Sequence, residues 1–259
     1  SPTFDTEHHS HLSKPERQAE GNPVLATAWA IRQCQAEGPN WDWVKPAHSG
    51  PYGVFVPSNP DVWLRKAFTS DEFNADSLSF RLLCWTNKTV ARTNAKIRDW
   101  RYGPTNTPFV VGEHALIRET LVERRKIILN TNEEVIVREI GKDTKDGLPT
   151  WRMTVETEDT RKVEVHMPAD DQAYHAKLTA MADTARRNGE WRRFHGFKQS
   201  FVTAQAPYSL TTHNCQGLTI RNSFVDVGEM RRWVASNSDE GLRGLYVTAT
   251  RPTHGLFCV

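Results

Sequence analysis

Three polar clusters in this 259-residue chain carry the residue types that handle charged ligands. The densest is Ser209-Leu-Thr-Thr-His-Asn-Cys-Gln-Gly-Leu-Thr219, where small hydroxyls, a histidine, a glutamine and a glycine sit between short apolar runs. That composition fits a loop between a strand and a helix, with polar groups free at its tip. Further on comes Leu245-Tyr-Val-Thr-Ala-Thr-Arg-Pro252. Leu242, Leu245, Tyr246 and Ala249 recur at helical spacing, and Pro252 stops the pattern just after Arg251. A helix that buries its apolar side and ends on one arginine is placed to present a cation. The third cluster, Thr86-Asn-Lys-Thr89, follows the apolar run Arg81-Leu-Leu-Cys-Trp85.

These clusters need a scaffold, and the flanking sequence describes one. Arg81 to Trp85 is bounded by polar residues, as a buried strand is. A helix with Val90, Ile97 and Trp100 on one side follows it and ends at Gly103. Strand, polar loop and helix make the unit of a parallel α/β sheet, in which ligands sit at the carboxyl ends of strands. Upstream, Asn22 reads as an N-cap, Pro23 as a first helical residue and Gly38 as a stop. Residues 39–58 show no periodicity and read as loop or irregular strand. A short helix opens at Asn59-Pro60-Asp61. From about Pro108 to Pro168 the pattern changes to short β-type runs, including Phe109 to Val111, His114 to Ile117 and Val135 to Ile140, with turn residues between them. That spacing predicts a small barrel or sandwich inserted into the α/β domain. Asp170 to about Arg193 follows as a polar helix or pair of helices. The α/β pattern returns after Phe201, with strands at Ser223 to Val227 and Gly255 to Val259 and a helix from about Asp239 to Arg251.

Composition sets outer bounds. The chain is 38% hydrophobic and 25% charged, an ordinary globular mixture, and its net charge of +2 means that any basic footprint is local. The run Arg186-Arg187 to Trp191-Arg192-Arg193 interleaves basic and aromatic residues; it reads either as a nucleic-acid contact or as a solvated face. Cys34, Cys84, Cys215 and Cys258 form no Cys-x-x-Cys pair, which disfavours zinc and disulfide scaffolds and suits a reducing compartment. His8, His9 and His11 lack partner carboxylates or cysteines and read as solvated rather than metal-binding. No metal site is assigned. No apolar run is long enough to span a membrane, and no secretory leader is read at the start. The chain opens on Ser1 rather than Met, as a piece of a longer protein does.

Taken together, the motifs resemble those of superfamily 1 DNA helicases, in the branch containing phage Dda and the RecD subunit. Leu12-Ser-Lys-Pro-Glu-Arg17 is similar to the family's Leu-x-x-x-x-Arg element, and Leu83-Cys-Trp-Thr-Asn-Lys88 to its strand-ending Thr-Asn-Lys motif. Val111-Gly-Glu113 sits where such helicases enter an SH3-like insertion. Thr212 to Thr219 resembles His-Lys-x-Gln-Gly-x-Thr, with Asn214 in place of the lysine, and Leu245 to Arg251 resembles Leu-Tyr-Val-x-x-Thr-Arg. The implied fold is a RecA-like parallel-sheet domain, residues 1–107 and 200–259, with an SH3-like subdomain and polar helices at 108–199.

The resemblance implies roles as well. Arg17 and Arg251 would reach a triphosphate bound by a neighbouring domain, with Gln216 and Gly217 along the same cleft. Thr219 would approach the nucleotide sugar or cap the turn. Thr86, Asn87, Thr211, Thr212 and His213 would grip the backbone of single-stranded DNA without reading sequence. The sequence has no Gly-x-x-x-x-Gly-Lys-Ser/Thr loop and no Asp-Glu pair on a strand ahead of these motifs. ATP and Mg2+ would therefore be held mainly by an N-terminal RecA-like domain outside this chain, which is not expected to hydrolyse ATP alone. The implied partners are that domain, single-stranded DNA, and replication or recombination proteins, in a cytoplasmic, phage or bacterial setting with 5′-to-3′ travel. A different class is also open: a non-catalytic DNA- or protein-binding module presenting an SH3-like surface.

Overall fold

The structure, a computed structural model, describes residues 18–123 and 126–259. In chain order the elements are α1 (Pro23–Glu37), β1 (Ala47–Ser49), β2 (Tyr52–Phe55), α2 (Pro60–Phe68), α3 (Asp71–Ala75), β3 (Phe80–Cys84), α4 (Asn87–Tyr102), β4 (His114–Ile117), β5 (Leu121–Glu123), β6 (Lys126–Leu129), β7 (Glu134–Lys145), β8 (Leu148–Glu156), β9 (Lys162–Pro168), α5 (Asp171–Asn188), α6 (Trp191–Lys198), β10 (Ala204–Gln205), β11 (Ser209–Thr211), β12 (Ile220–Val225), α7 (Val227–Ser236), α8 (Ser238–Ala249) and β13 (Pro252–Cys258). They fall into two compact units. The first comprises the chain up to Leu64, Leu78–Trp85 and Thr211–Val259; the second comprises Arg65–Ser77 and Thr86–Leu210.

The first unit is built on a parallel sheet. Its strands run in the order β1-β2-β13-β12-β3, and every pair is parallel except β1 with β2. Phe224 on β12 lies level with Leu82 on β3 and Phe257 on β13. All five residues of β3 are buried, which fits the unbroken run of a strand with two inward faces. Helix α1 forms where its caps dictate: the Asn22 side chain accepts from the Val24 amide at 3.0 Å, and Gly38 ends the helix at φ +96°. Its Val24, Ala28 and Ile31 pack in one cluster with Val54, Val225, Trp233, Leu245 and Leu256. Each such side chain contributes roughly 1.5–3 kcal/mol when fully buried. The stretch 39–58, which shows no periodicity, holds the short hairpin β1–β2. Helix α7 is an element that the sequence reading passed over.

The α7–α8 pairing depends on absent side chains. A Cβ at Gly241 would stand 2.7 Å from the Val234 backbone, and one at Gly244 would overlap the edge of the Trp233 ring. Both glycines are buried, and they let the two helices approach closely.

The second unit carries an antiparallel sheet in the order β10-β4-β7-β8-β9 and a hairpin, β5–β6. Segment 202–205 engages both edge strands. Val202 N–H donates to His166 O of β9 at 2.9 Å, while Ala204 and Gln205 pair with Ile117 and Leu116 of β4. The inward positions form one core that includes Phe109, Ile117, Leu129, Val137, Val155, Val165 and Val202. Leu148, Tyr174, Phe197 and Phe201 make a second cluster with α5 and α6. Phe109 to Val111, read as a β run, is not a strand: Glu113 N–H turns back to Val110 O, and the Glu113 carboxylate accepts from the Val110 amide.

Helix α4 belongs to this second unit, whereas the sequence placed residues up to 107 with the parallel sheet. Two polar anchors explain the difference. The Asn94 amide bonds Ala206 O, Ser209 O and the Ser209 amide at 2.7–3.2 Å. Arg98 Nε reaches both oxygens of Glu113 at 3.0 and 3.1 Å, and its other nitrogens donate to Thr105 Oγ1 and Thr107 O. Glu113 is fully buried and also accepts from the Tyr208 hydroxyl at 3.0 Å. Burial and this neighbouring carboxylate push the Tyr208 pKa far above its ordinary value.

Candidate functional site

The site centres on the turn 212–219, which connects β11 to β12. The sequence suggested a strand-to-helix loop, but the turn leads into a strand. Its backbone is held by Cys215 N–H to Thr211 O, Gln216 N–H to His213 O and Leu218 N–H to Cys215 O, at 3.1–3.3 Å. Thr212 N–H donates to Cys84 O at 2.9 Å, which fixes the turn beside the end of β3. Gly217 has φ +89°, and a Cβ there would meet nothing within 4 Å. The glycine thus serves the backbone conformation rather than a close approach.

The predicted site residues divide by exposure. Thr211 and Thr212 are buried, at 6% and 1% exposure, and the Thr212 hydroxyl is 2.9 Å from the Thr248 hydroxyl on α8. Thr248 in turn donates to Gly244 O. These two threonines brace the turn, whereas His213, Gln216, Gly217 and Thr219 are exposed. The His213 ring lies 5.7 Å from that of Trp233, and its Nε2 lies 3.9 Å from a Glu240 oxygen. Asn214, where the family pattern has lysine, is half-buried, and its amide donates to Thr211 Oγ1. Thr86 and Asn87 open α4 in the second unit; Thr86 is its N-cap, accepting from the Thr89 amide at 3.2 Å, and Asn87 is exposed. Arg17 lies outside the described residues.

Arg251 sits directly beyond α8, half-buried. Its Nε donates to Val247 O at 3.1 Å, and one terminal nitrogen is 3.4 Å from Thr250 Oγ1. Its carbonyl accepts from the Ile220 amide, the residue after Thr219. The Gln18 side chain closes the arrangement: its Nε2 donates at 3.0 Å to Thr250 O and to Pro252 O, the carbonyls on either side of Arg251. Gln18 is 8% exposed, so this amide lies in a low-dielectric setting. Asn22 adds a bond from Nδ2 to Thr253 O at 2.9 Å.

Sequence reasoning missed the residues that hold this geometry. Glu229, 2% exposed, accepts the Trp85 amide at 2.9 Å and so secures the residue that follows β3. The rings of Trp85 and Trp233 stack at 5.7 Å with planes 8° apart. Asp226-x-x-Glu229 was a legible capping pattern, since Asp226 Oδ1 accepts the Glu229 amide. Gln18 carried no sequence signal.

Among the described residues no group of three or more His, Cys, Asp or Glu side chains is gathered to hold a metal ion, and no helix is long and apolar enough to cross a membrane. The four cysteines are free and buried, and burial pushes the Cys258 thiol up to about 12.

No protein-family model and no curated protein sequence matches the chain. Among solved structures it is similar to a Pif1 helicase from Bacteroides in complex with ADP-AlF3 and single-stranded DNA, at 13% identity and a TM-score of 0.48, over 95% of this chain and 51% of that one. A structure of two coordinating Pif1 helicases at forked double-stranded DNA gives 14% identity and a TM-score of 0.47, over 95% of this chain and 49% of the other. Pif1 helicase from Candida albicans gives 14% and 0.39, over 76% of this chain and 52% of that one. The chain spans about half the length of these structures.

Proposed function

We propose that this chain is the second motor half of an ATP-dependent superfamily 1 DNA helicase, and that it completes a nucleotide site whose phosphate cradle lies on a first motor half. The observation that carries the reading is the convergence at Arg251. The carbonyls flanking it are bound by Gln18, the sequence neighbour of Arg17, and its own carbonyl receives Ile220, which follows the Gln216 to Thr219 segment. Two residues far apart in sequence, each next to one of the other motifs, thus hold the backbone around a single guanidinium.

Arginine suits the role because its planar group stays charged and can neutralise charge growing on phosphoryl oxygens. The residues here fit a contribution to an ATP site rather than a whole one. They offer a cation and exposed polar groups, while the first described helix opens on Pro23, which has no amide hydrogen. ATP, when bound, supplies the free energy of phosphoryl transfer; Arg251 and Arg17 would hold charge at its terminal phosphate, and Gln216, Gly217 and Thr219 would line the approach. His213, Thr86 and Asn87 would face single-stranded DNA, with Thr211 and Thr212 shaping the turn that presents His213. We read the antiparallel sheet, closed at its edges by segment 202–205, as an SH3-like insertion. Direction of travel, 5′-to-3′, and cytoplasmic replication or recombination partners follow from the motif resemblance.

The test is DNA-stimulated ATP hydrolysis by this chain joined to its N-terminal half. Arg251→Ala and Arg251→Lys should each lower turnover steeply, by about 10³–10⁵-fold for the alanine. Wild-type turnover in Arg251→Ala would leave the binding-module reading in its place.

A further inference from the structure

The motor reading leaves the α5–α6 hairpin of the second unit without a task, yet this hairpin is rich in basic side chains. Residues 184–198 contain five basic side chains, Arg186, Arg187, Arg192, Arg193 and Lys198, against the single acid Glu190. That is net +4 in a chain of net +2, so the remaining residues are net −2. The footprint is local and solvent-facing: the Arg186 and Arg193 side chains are 66% and 79% exposed, and Arg187 and Arg192 are exposed as well. Gly189, at φ +75°, ends α5 and turns the chain directly into α6, which keeps the two arginine pairs on neighbouring helix ends.

Two features separate this patch from an ordinary solvated face. First, Arg192 and Arg193 occupy the opening turn of α6, where the helix dipole disfavours cations, and Glu190 provides no side-chain cap. Arg186 and Arg187 suit the end of α5, where Arg186 pairs with Asp183 at 2.6 Å; of the second pair, Arg193 has Glu190 at 3.8 Å, while Arg192 runs against the helix dipole, a conflict that a bound polyanion would relieve. Second, the cations flank an exposed indole. Trp191 is 43% exposed, its ring held edge-on by Phe194 at 5.8 Å. Arg193 also borders a hollow of about 580 Å³ whose lining mixes Met181 and Phe197 with Asp146, Lys177 and Ser200. Lys177 Nζ stands 5.2 Å over the Phe197 ring.

We propose that the α5–α6 hairpin is a second binding surface for single-stranded DNA, in which the arginines take backbone phosphates and Trp191 stacks on bases. Charge alone would suit any polyanion. The exposed indole selects one with unpaired flat bases. The choice of DNA over RNA rests on the motor reading above; the surface itself shares no residue with that site.

Binding of fluorescein-labelled oligo(dT) to this chain, followed by anisotropy across a salt series, tests it. Trp191→Ala should weaken binding about 5- to 100-fold, and Trp191→Phe should restore most of it. The double variant Arg192→Gln/Arg193→Gln should reduce the slope of log affinity against log salt by about 1.4, the value for two lost single-strand phosphate contacts. Far-UV circular dichroism melts of these exposed-site variants identify any loss of fold. Affinities within twofold of wild type with an unchanged slope would overturn the proposal. So would undetectable binding by the chain, or equal competition by polyglutamate, which would mark an acidic protein as the partner. If the patch variants bind normally while Arg251→Ala abolishes ATPase in the joined enzyme, the surface falls and the motor stands. The reverse pattern removes the motor and keeps the surface.

Discussion

Replacing Gly244 by alanine probes the joint that positions the candidate site. A Cβ there would overlap Cη2 and Cζ3 of Trp233 and lie 3.1 Å from Cζ2. The ring is 1% exposed and stacked on Trp85, so it has no free direction in which to yield. Overpacking of this kind costs about 1–3 kcal/mol, and a deep overlap with an immobile ring belongs at the upper end. Alanine returns about 1 kcal/mol through helix propensity. The expected net loss is about 2 kcal/mol, read from urea titrations by circular dichroism. In a Trp233→Leu background the ring edge is gone and only the propensity gain remains. There Gly244→Ala should be neutral or stabilising by about 1 kcal/mol, a coupling of about 2–3 kcal/mol. Equal cost in both backgrounds would refute the claim that Gly244 exists to seat Trp233.

Glu113→Gln should destabilise the second unit by about 3–5 kcal/mol, because it leaves Arg98 without its buried counter-charge; a loss under about 1 kcal/mol in urea titrations would show the ion pair to be dispensable. Stability should also fall in alkali. The folded pKa values of Cys258 and Tyr174 are raised to about 12 from 9.0 and 10.0, mainly by burial. Their contribution is full below the unfolded values and drains away as pH rises from 9.0 towards about 12. Cys258→Ala should delay the onset from pH 9.0 to about 10.0, the unfolded tyrosine value; a urea midpoint that stays flat between these pH values in the wild type would contradict this.

The sequence disclosed those elements whose signals are local. Asn22-Pro23 and Gly38 bound α1 as expected, Gly103 ends α4, and the apolar run at Arg81 to Trp85 overlaps β3 in all but Phe80. Arg251 was legible because Pro252 ends the helical pattern before it. Illegible were the contacts that close over long sequence separations. Gln18 meets Thr250 and Pro252 more than two hundred residues away, and nothing near it marks that bond. Helix α4 reads as the partner of the strand before it, yet Asn94 and Arg98 tie it to residues past 105. The hydroxyls of Thr211 and Thr212 looked available in the sequence; burial beside Thr248 assigns them to the scaffold.

The backbone passes between the two units four times, at 64/65, 77/78, 85/86 and 210/211. The parallel sheet has β12 between β13 and β3, and both β12 and β13 follow the other strands in the chain. During synthesis, then, β2 and β3 emerge early and wait for the members that will separate them, while the antiparallel sheet is complete once β10 has left the ribosome. Removing β12 and β13 would therefore not trim an edge. It would take out the middle of the sheet, and with it the strand that begins directly after Arg251.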